Sequence, residues 1–279
     1  MNRIDARFHQ LRKKGRPALV PYITAGYPSP DATVAVLHAA VEAGADLLEL
    51  GMPFSDVMAD GPVIQEACAR ALEQGTHLDE VLAMVAEFRR KDAHTPIILM
   101  GYTNPIERRG VARFVGEAAA AGVDGMLIVD CPADEAADMC AELAEKGLHQ
   151  IFLVAPTTTE SRLERTAGLA GGFVYYVSVK GVTGAATLDT DSLAPAVERI
   201  RARMDLPVAV GFGIRTPEQA AATARAADAV VIGSALVQRL GSCERVDEAI
   251  RTVHEFLAPI RQAMDNNAPS QDQKQTLSA

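Results

Sequence analysis

The stretch "DLLELGMPFSDVMADGP", Asp46 to Pro62, opens as an apolar run and then carries three carboxylates, Glu49, Asp56 and Asp60. Glu49 lies inside the run, where a strand rarely tolerates a charge. Turned into a dry cavity, its carboxyl loses water, its pKa rises, and it becomes suited to proton transfer near neutral pH. A Glu facing a neighbouring Arg, or closing a loop, is the structural alternative. Asp60 sits in "ADGP", where an Asp ahead of a helix starting at Pro62 serves equally well as a cap or a turn residue. Asp56, in "FSD", carries the same two readings. Together the acids offer acid–base chemistry, one carboxyl exchanging a proton while another holds charge beside it.

A second group of residues suits an anion. "SVKGVTGA", "GFGIRTPE" and "IGSAL" each place glycine just after an apolar run. Backbone N–H groups at such turns, and at the starts of helices, bind phosphate. Gly213, Gly233 and Ser234 are the expected donors. Gly181 and Gly211, taken singly, read as tight turns, and Lys180 and Arg215 either add charge or are solvated loop residues.

These groups need elements to position them. Short β-rich runs alternate with longer helical patterns through "ALVPYIT" (18–24), "DLLEL" (46–50), "PIILMG" (96–101), "DGMLIV" (124–129), "QIFLVA" (150–155), "FVYYVS" (173–178), "PVAVGF" (207–212) and "AVVIG" (229–233). Continuous apolar runs fit parallel strands covered on both faces, and eight such units in this length fit a (β/α)8 TIM barrel better than a doubly wound open sheet. An amphipathic segment, Asn2 to Lys14, is expected to cap the barrel bottom, and "HLDEVLAMVAEFRRK" is an extra helix between strands two and three. In this fold, chemistry lies at the C-terminal strand ends, and the loops after strands seven and eight commonly hold phosphate. Glu49, Asp60 and the glycine turns all fall on that face. The expected organisation is one barrel domain, 1–265, followed by a disordered polar tail, 266–279.

Composition narrows the partners. The chain has 279 residues, 48% apolar, and a formal charge of −9, so no nucleic-acid or membrane-surface partner is expected. No segment has the length of an apolar membrane span, no leader is expected, and a cytoplasmic location is the reading. Cys68, Cys131, Cys140 and Cys243 lack metal-site spacing and read as free thiols. None of His9, His38, His77, His94, His149 and His254 falls at a strand's C-terminal end, so metal catalysis is not expected. A Schiff base needs a lysine inside the barrel, and Lys180 alone comes near.

"LELGMPFSDVMADGPVIQEA", "PIILMGYTNPI", "GMLIVDCP", "YVSVKGVTGA", "GFGI" and "IGSALV" in this order resemble the tryptophan synthase alpha chain family over nearly the whole barrel. The resemblance implies a lyase that splits indole-3-glycerol phosphate into indole and glyceraldehyde 3-phosphate. It assigns proton transfer to Glu49 and stabilisation of the ring nitrogen to Asp60. It further implies a substrate pocket of Tyr22, Thr24, Ile64, Met100, Tyr102, Tyr175 and Thr183, and a phosphate site of Gly184, Gly213, Gly233 and Ser234. No cofactor is implied in this chain. The implied partner is a beta chain carrying pyridoxal phosphate, in an alpha2beta2 tetramer, contacted through the Asp56 loop and Asn104 to Arg108. Where the family usually reads "FSDP", this chain has Val57, which removes a φ-fixing proline and is expected to loosen the loop or alter its contact with the partner. Two other readings stand beside the lyase: another phosphosugar isomerase or epimerase barrel, and an idle subunit that only activates the beta chain.

Overall fold

The computed structural model describes residues 1–177, 190–211 and 213–266, with the backbone alone of 190–192. Eight parallel strands close into a barrel in chain order: β1 (Ala18–Thr24), β2 (Leu48–Gly51), β3 (Ile97–Gly101), β4 (Gly125–Ile128), β5 (His149–Val154), β6 (Val174–Tyr176), β7 (Val208–Val210) and β8 (Ala229–Ile232). Pairing of β1 with β8, from Ala18↔Ala229 to Pro21↔Ile232, closes the ring and replaces the open-sheet alternative. Among the described residues the helices are α1 (Arg3–Lys13), α2 (Pro30–Glu42), α3 (Pro62–Glu73), α4 (Leu78–Arg89), α5 (Thr103–Arg109), α6 (Val111–Ala121), α7 (Ala137–Glu145), α8 (Glu160–Leu169), α9 (Thr190–Arg201), α10 (Pro217–Ala224), α11 (Ser234–Leu240) and α12 (Val246–Asn266). The expected extra helices are α1 and α4, while the short α5 and α11 were not foreseen. Of the expected tail, 266–279, Asn266 is the last residue of α12, and 267–279 lie outside the described residues.

Alternation along each strand sorts side chains to two faces. On the β2 segment Leu47 joins the inner cluster with Val20, Ile98, Leu127, Ile151 and Phe173, whereas Leu48 and Leu50 pack outward against the helices. Glu49 therefore faces the barrel interior. From below, α1 inserts Ile4, Phe8 and Leu11 into the same inner cluster, and the Phe8 and Phe173 rings meet at 5.7 Å. Asn2 caps this helix by accepting the Ile4 N–H at 2.8 Å. A side chain at Gly125 would come within 2.7 Å of Ile151 Cδ1 and 3.0 Å of Ile4 Cδ1, so this bare position makes room for the plug.

The barrel bottom is laced by a device repeated ahead of three even-numbered strands. Asp46, Asp124 and Asp228 accept the backbone N–H of Leu19, Ile97 and Val208, at 3.0, 2.9 and 2.9 Å. Each carboxylate thereby fixes the start of one strand against its predecessor. Asp46 and Asp124 are buried and their charges are matched, Asp46 by Arg16 (3.1 Å) and Arg261 (3.2 Å), Asp124 by Arg3 and Arg89 (2.8 Å each). Arg261 of α12 also donates to Pro17 O at 3.0 Å, and Asp265 of the same helix pairs with Arg16 at 2.8 Å, which ties α12 to the barrel floor. The floor is thus fixed, and the opposite rim is left to chemistry.

Candidate active site

Above the inner cluster, the next inward positions are Tyr22 and Thr24 on β1, Glu49 on β2, Met100 on β3, Tyr175 on β6, Gly211 after β7 and Gly233 after β8. Tyr22 and Glu49 are direct neighbours in the β1–β2 ladder. Glu49 is 1% exposed, and its Oε1 has no hydrogen-bond partner. Burial pushes its pKa to about 8, which leaves the carboxyl protonated at neutral pH. Among the described residues no Lys or Arg pairs with it. The arrangement is a neutral acid holding one proton in a dry, partly aromatic cup.

The aromatic walls fit because glycine stands opposite them. A Cβ on Gly51 would come within 2.6 Å of Tyr22 Cζ, and one on Gly211 within 3.0 Å of Tyr175 Cζ. The Tyr22 hydroxyl receives a hydrogen bond from Thr24 Oγ1 at 3.3 Å. Burial first, and then the neighbouring Asp60 and Glu49 carboxyls among other charges, hold both tyrosines well above the usual phenol range. They act here as hydroxyls, not phenolates.

The loop from Met52 to Gly61 brings Asp60 to the rim. The cap of α3 is Gly61, with no side-chain bond, so Asp60 is not spent as a helix cap. Its Oδ2 instead accepts the Tyr102 hydroxyl at 2.7 Å. Burial raises its pKa and this hydrogen bond works against the rise. Gln65 anchors the loop from α3 by donating to Asp60 O at 2.9 Å. Val57 is 7% exposed and belongs to the core, while the adjacent Met58 is 84% exposed. At position 57 an apolar side chain is thus tucked inward, and the outward tip of the loop is Met58. Asp56 is exposed and bonds Ser55 on the same loop.

On the other side of the mouth Gly213 has φ +66° and an open surrounding, consistent with a turn that L side chains disfavour. Gly233 is the N-cap of α11 and Ser234 its first residue, both beside β8. Thr183, Gly184, Lys180 and Gly181 lie outside the described residues.

The profile of one family, described as tryptophan synthase alpha chain, matches residues 8–267. The chain belongs to the tryptophan synthase alpha chain family. A tryptophan synthase alpha chain of Thioalkalivibrio sulfidiphilus is 56% identical over 95% of this chain and 100% of its own length. That of Nitrosococcus oceani is 57% identical over 95% and 98%. The crystal structure of tryptophan synthase subunit alpha from Legionella pneumophila superposes with a TM-score of 0.90 at 43% identity, covering 95% of this chain and 99% of that one. The family cleaves indole-3-glycerol phosphate in tryptophan biosynthesis, and this chain is a carbon–carbon lyase of that kind.

Within this alpha-chain barrel the structure brings Glu49, Tyr22, Thr24, Met100 and Tyr175 onto one inner surface, with Asp60 and Tyr102 at its rim. Ile64, in the first turn of α3, is buried. Tyr102, expected in the pocket wall, also commits its hydroxyl to the acid loop. Sequence reading missed Gln65 and the steric roles of Gly51 and Gly211. Cys68 was seen only as a free thiol, yet it is buried close enough to Asp60 to feel its charge and near enough to Tyr22 to act on it, with its own pKa pushed up to about 11 by burial. No signal in the sequence marked the pairing of Tyr22 with Gly51 or of Tyr175 with Gly211, which register across the barrel sets.

Proposed function

We infer that Glu49 and Asp60 perform the cleavage of indole-3-glycerol phosphate in this chain. The observation that carries the assignment is the buried Glu49 carboxyl, its Oε1 without a hydrogen-bond partner, beside an aromatic cup. Glu49 donates its proton to C3 of the indole ring, which weakens the bond between that carbon and the glycerol side chain. The carboxylate then takes the proton of the side-chain hydroxyl, the carbon–carbon bond breaks, and its electron pair returns to the ring. Indole and glyceraldehyde 3-phosphate result, and Glu49 regains its proton. Asp60 stabilises the cationic ring through its N–H, an electrostatic contribution that grows where water is excluded.

Tyr22, Thr24, Ile64, Met100, Tyr102 and Tyr175 form the pocket for the flat ring, in keeping with the mostly apolar lining of small-molecule sites. Gly213, Gly233 and Ser234, with Gly184, hold the phosphate, and Thr183 meets Asp60 when the site closes. The chain needs no cofactor of its own; pyridoxal phosphate belongs to the beta chain, which meets this chain through the Asp56 loop and Asn104 to Arg108 in an alpha2beta2 tetramer. Among the described residues no helix is long and apolar enough to cross a membrane; the location assigned here is the cytoplasm.

The purified chain incubated with indole-3-glycerol phosphate tests this. Indole is expected from the chain alone and faster with the beta chain added. No indole under either condition overturns the reading.

A further inference from the structure

Asp60 is held from outside its own loop. The Tyr102 hydroxyl donates to Asp60 Oδ2 at 2.7 Å and accepts the Ala59 N–H at 3.2 Å. Its ring lies 5.7 Å from that of Phe54, at the root of the same loop. One buried side chain therefore touches the acid loop at three residues. The backbone of Tyr102 is in turn the N-cap of α5. Thr103, the next residue, gives both its N–H and its Oγ1 to Asp130 Oδ1, each at 2.8 Å.

Asp130 belongs to a different βα unit, just beyond the end of β4. The strand ends beneath are joined in the same order, Val129 N–H to Gly101 O at 2.9 Å and Met52 N–H to Met100 O at 2.8 Å. A continuous hydrogen-bonded path thus crosses the rim from β4 over β3 to the loop after β2. We propose that Asp130, an exposed carboxylate away from the inner cup, is a positioning residue for Asp60: it fixes the Thr103 turn, the turn fixes Tyr102, and Tyr102 fixes the acid loop. The proposal rests on the role given above to Asp60 in cleavage.

Electrostatics supplies a way to separate this from a purely structural role. The Tyr102 hydrogen bond lowers the pKa of Asp60, whereas burial raises it. Tyr22 of β1, Cys68 of α3 and Tyr175 of β6 also feel the Asp60 charge, but among the described residues none of them hydrogen-bonds to it. Displacing Tyr102 therefore moves the Asp60 pKa up. Deleting the negative charge of Asp130 would, through space alone, move it down. The two effects differ in sign.

The test titrates Asp60 by carbon-13 NMR in the full chain labelled at its aspartate carboxyls, with the Asp60 resonance identified by its loss in Asp60→Asn. Tyr102→Phe is expected to raise the midpoint by about one unit, the loss of one good hydrogen bond. Asp130→Ala should raise it by about half as much, and Thr103→Val, which changes no charge, should do the same. The double variant Asp130→Ala with Tyr102→Phe should match Tyr102→Phe alone, because both act through one contact. In cleavage, kcat should fall about tenfold for Tyr102→Phe and less for Asp130→Ala, with KM moving little. An Asp60 midpoint that stays or falls in Asp130→Ala overturns the proposal, as do shifts that add in the double variant. The titration uses no substrate, so a wild-type chain that makes no indole would sink the lyase reading and leave this result to stand on its own.

Discussion

A Cβ placed on Gly51 would lie 2.6 Å from Tyr22 Cζ, so the strand that carries Glu49 stays bare two residues later to admit the tyrosine of the neighbouring strand. Gly51→Ala must push that ring toward the cup. Overpacking of this kind costs about 1–3 kcal/mol, and the displaced ring takes space needed by substrate. The variant should fold with a lowered melting temperature and a raised KM for indole-3-glycerol phosphate. Adding Tyr22→Leu, which ends short of the clash, should restore the melting temperature. No restoration would show that the two residues do not share this space.

Glu49 should weaken the fold as pH rises. Its carboxyl has an ordinary value of 4.5 and is pushed to about 8 by burial. Below 4.5 the folded and unfolded chains both bind the proton. Above it the unfolded chain releases the proton and the folded chain does not, so stability declines until about pH 8 and the loss is then constant. The interval corresponds to at most about 5 kcal/mol. Glu49→Gln removes the ionisation. Its melting temperature should exceed that of the wild type at pH 8.5 by more than at pH 5, and an equal difference at both would contradict the burial account.

The barrel floor offers a change remote from the cup. Asp46→Ala leaves Arg261 and Arg16 with Asp265 as their remaining shared carboxylate and the Leu19 N–H without its side-chain acceptor. Removing one member of a buried charged group costs about 3–5 kcal/mol. Chemical denaturation should report a loss of this size. Cleavage by the remaining folded chain at low temperature should be close to that of the wild type.

Neighbouring residues on the acid loop should behave oppositely. Val57 is packed inward and Met58 projects. Val57→Ser should cost about 1–2 kcal/mol and reduce cleavage by the isolated chain, since the loop carrying Asp60 loses its anchor. Met58→Ser should change stability by less than about 0.5 kcal/mol and leave that cleavage intact, while weakening binding of the beta chain. Calorimetric titration with the beta chain, run beside the indole assay, distinguishes the two.

The closed barrel was legible because continuous apolar runs at regular spacing leave few other ways to bury both faces of a parallel strand. Glu49 stood out for the same reason, as the one acid inside such a run. Strand limits were less legible: β2 begins at Leu48 rather than Asp46, because Asp46 is spent on the Leu19 N–H. Within a uniformly apolar run, composition does not mark which alternate residues face inward, so Tyr22 and Tyr175 could be placed in the pocket only through family resemblance. Val57 was read as loosening the loop or altering its contact with the partner, and its inward packing was not legible, since the residue type alone says nothing about which way the loop turns. The Tyr102 bond to Asp60 joins residues far apart in sequence, and the Asp-Gly turn signal hid it.

The central claim is that a protonated Glu49 starts the cleavage, and the pH dependence of kcat/KM for indole release tests it most directly, because that ratio reports ionisations of the free enzyme. The account predicts a fall on the alkaline side centred at about 8, and a loss of about 100-fold or more in Glu49→Gln at every pH. A wild-type profile that stays flat through pH 8, or a Gln variant that keeps its rate, would contradict it.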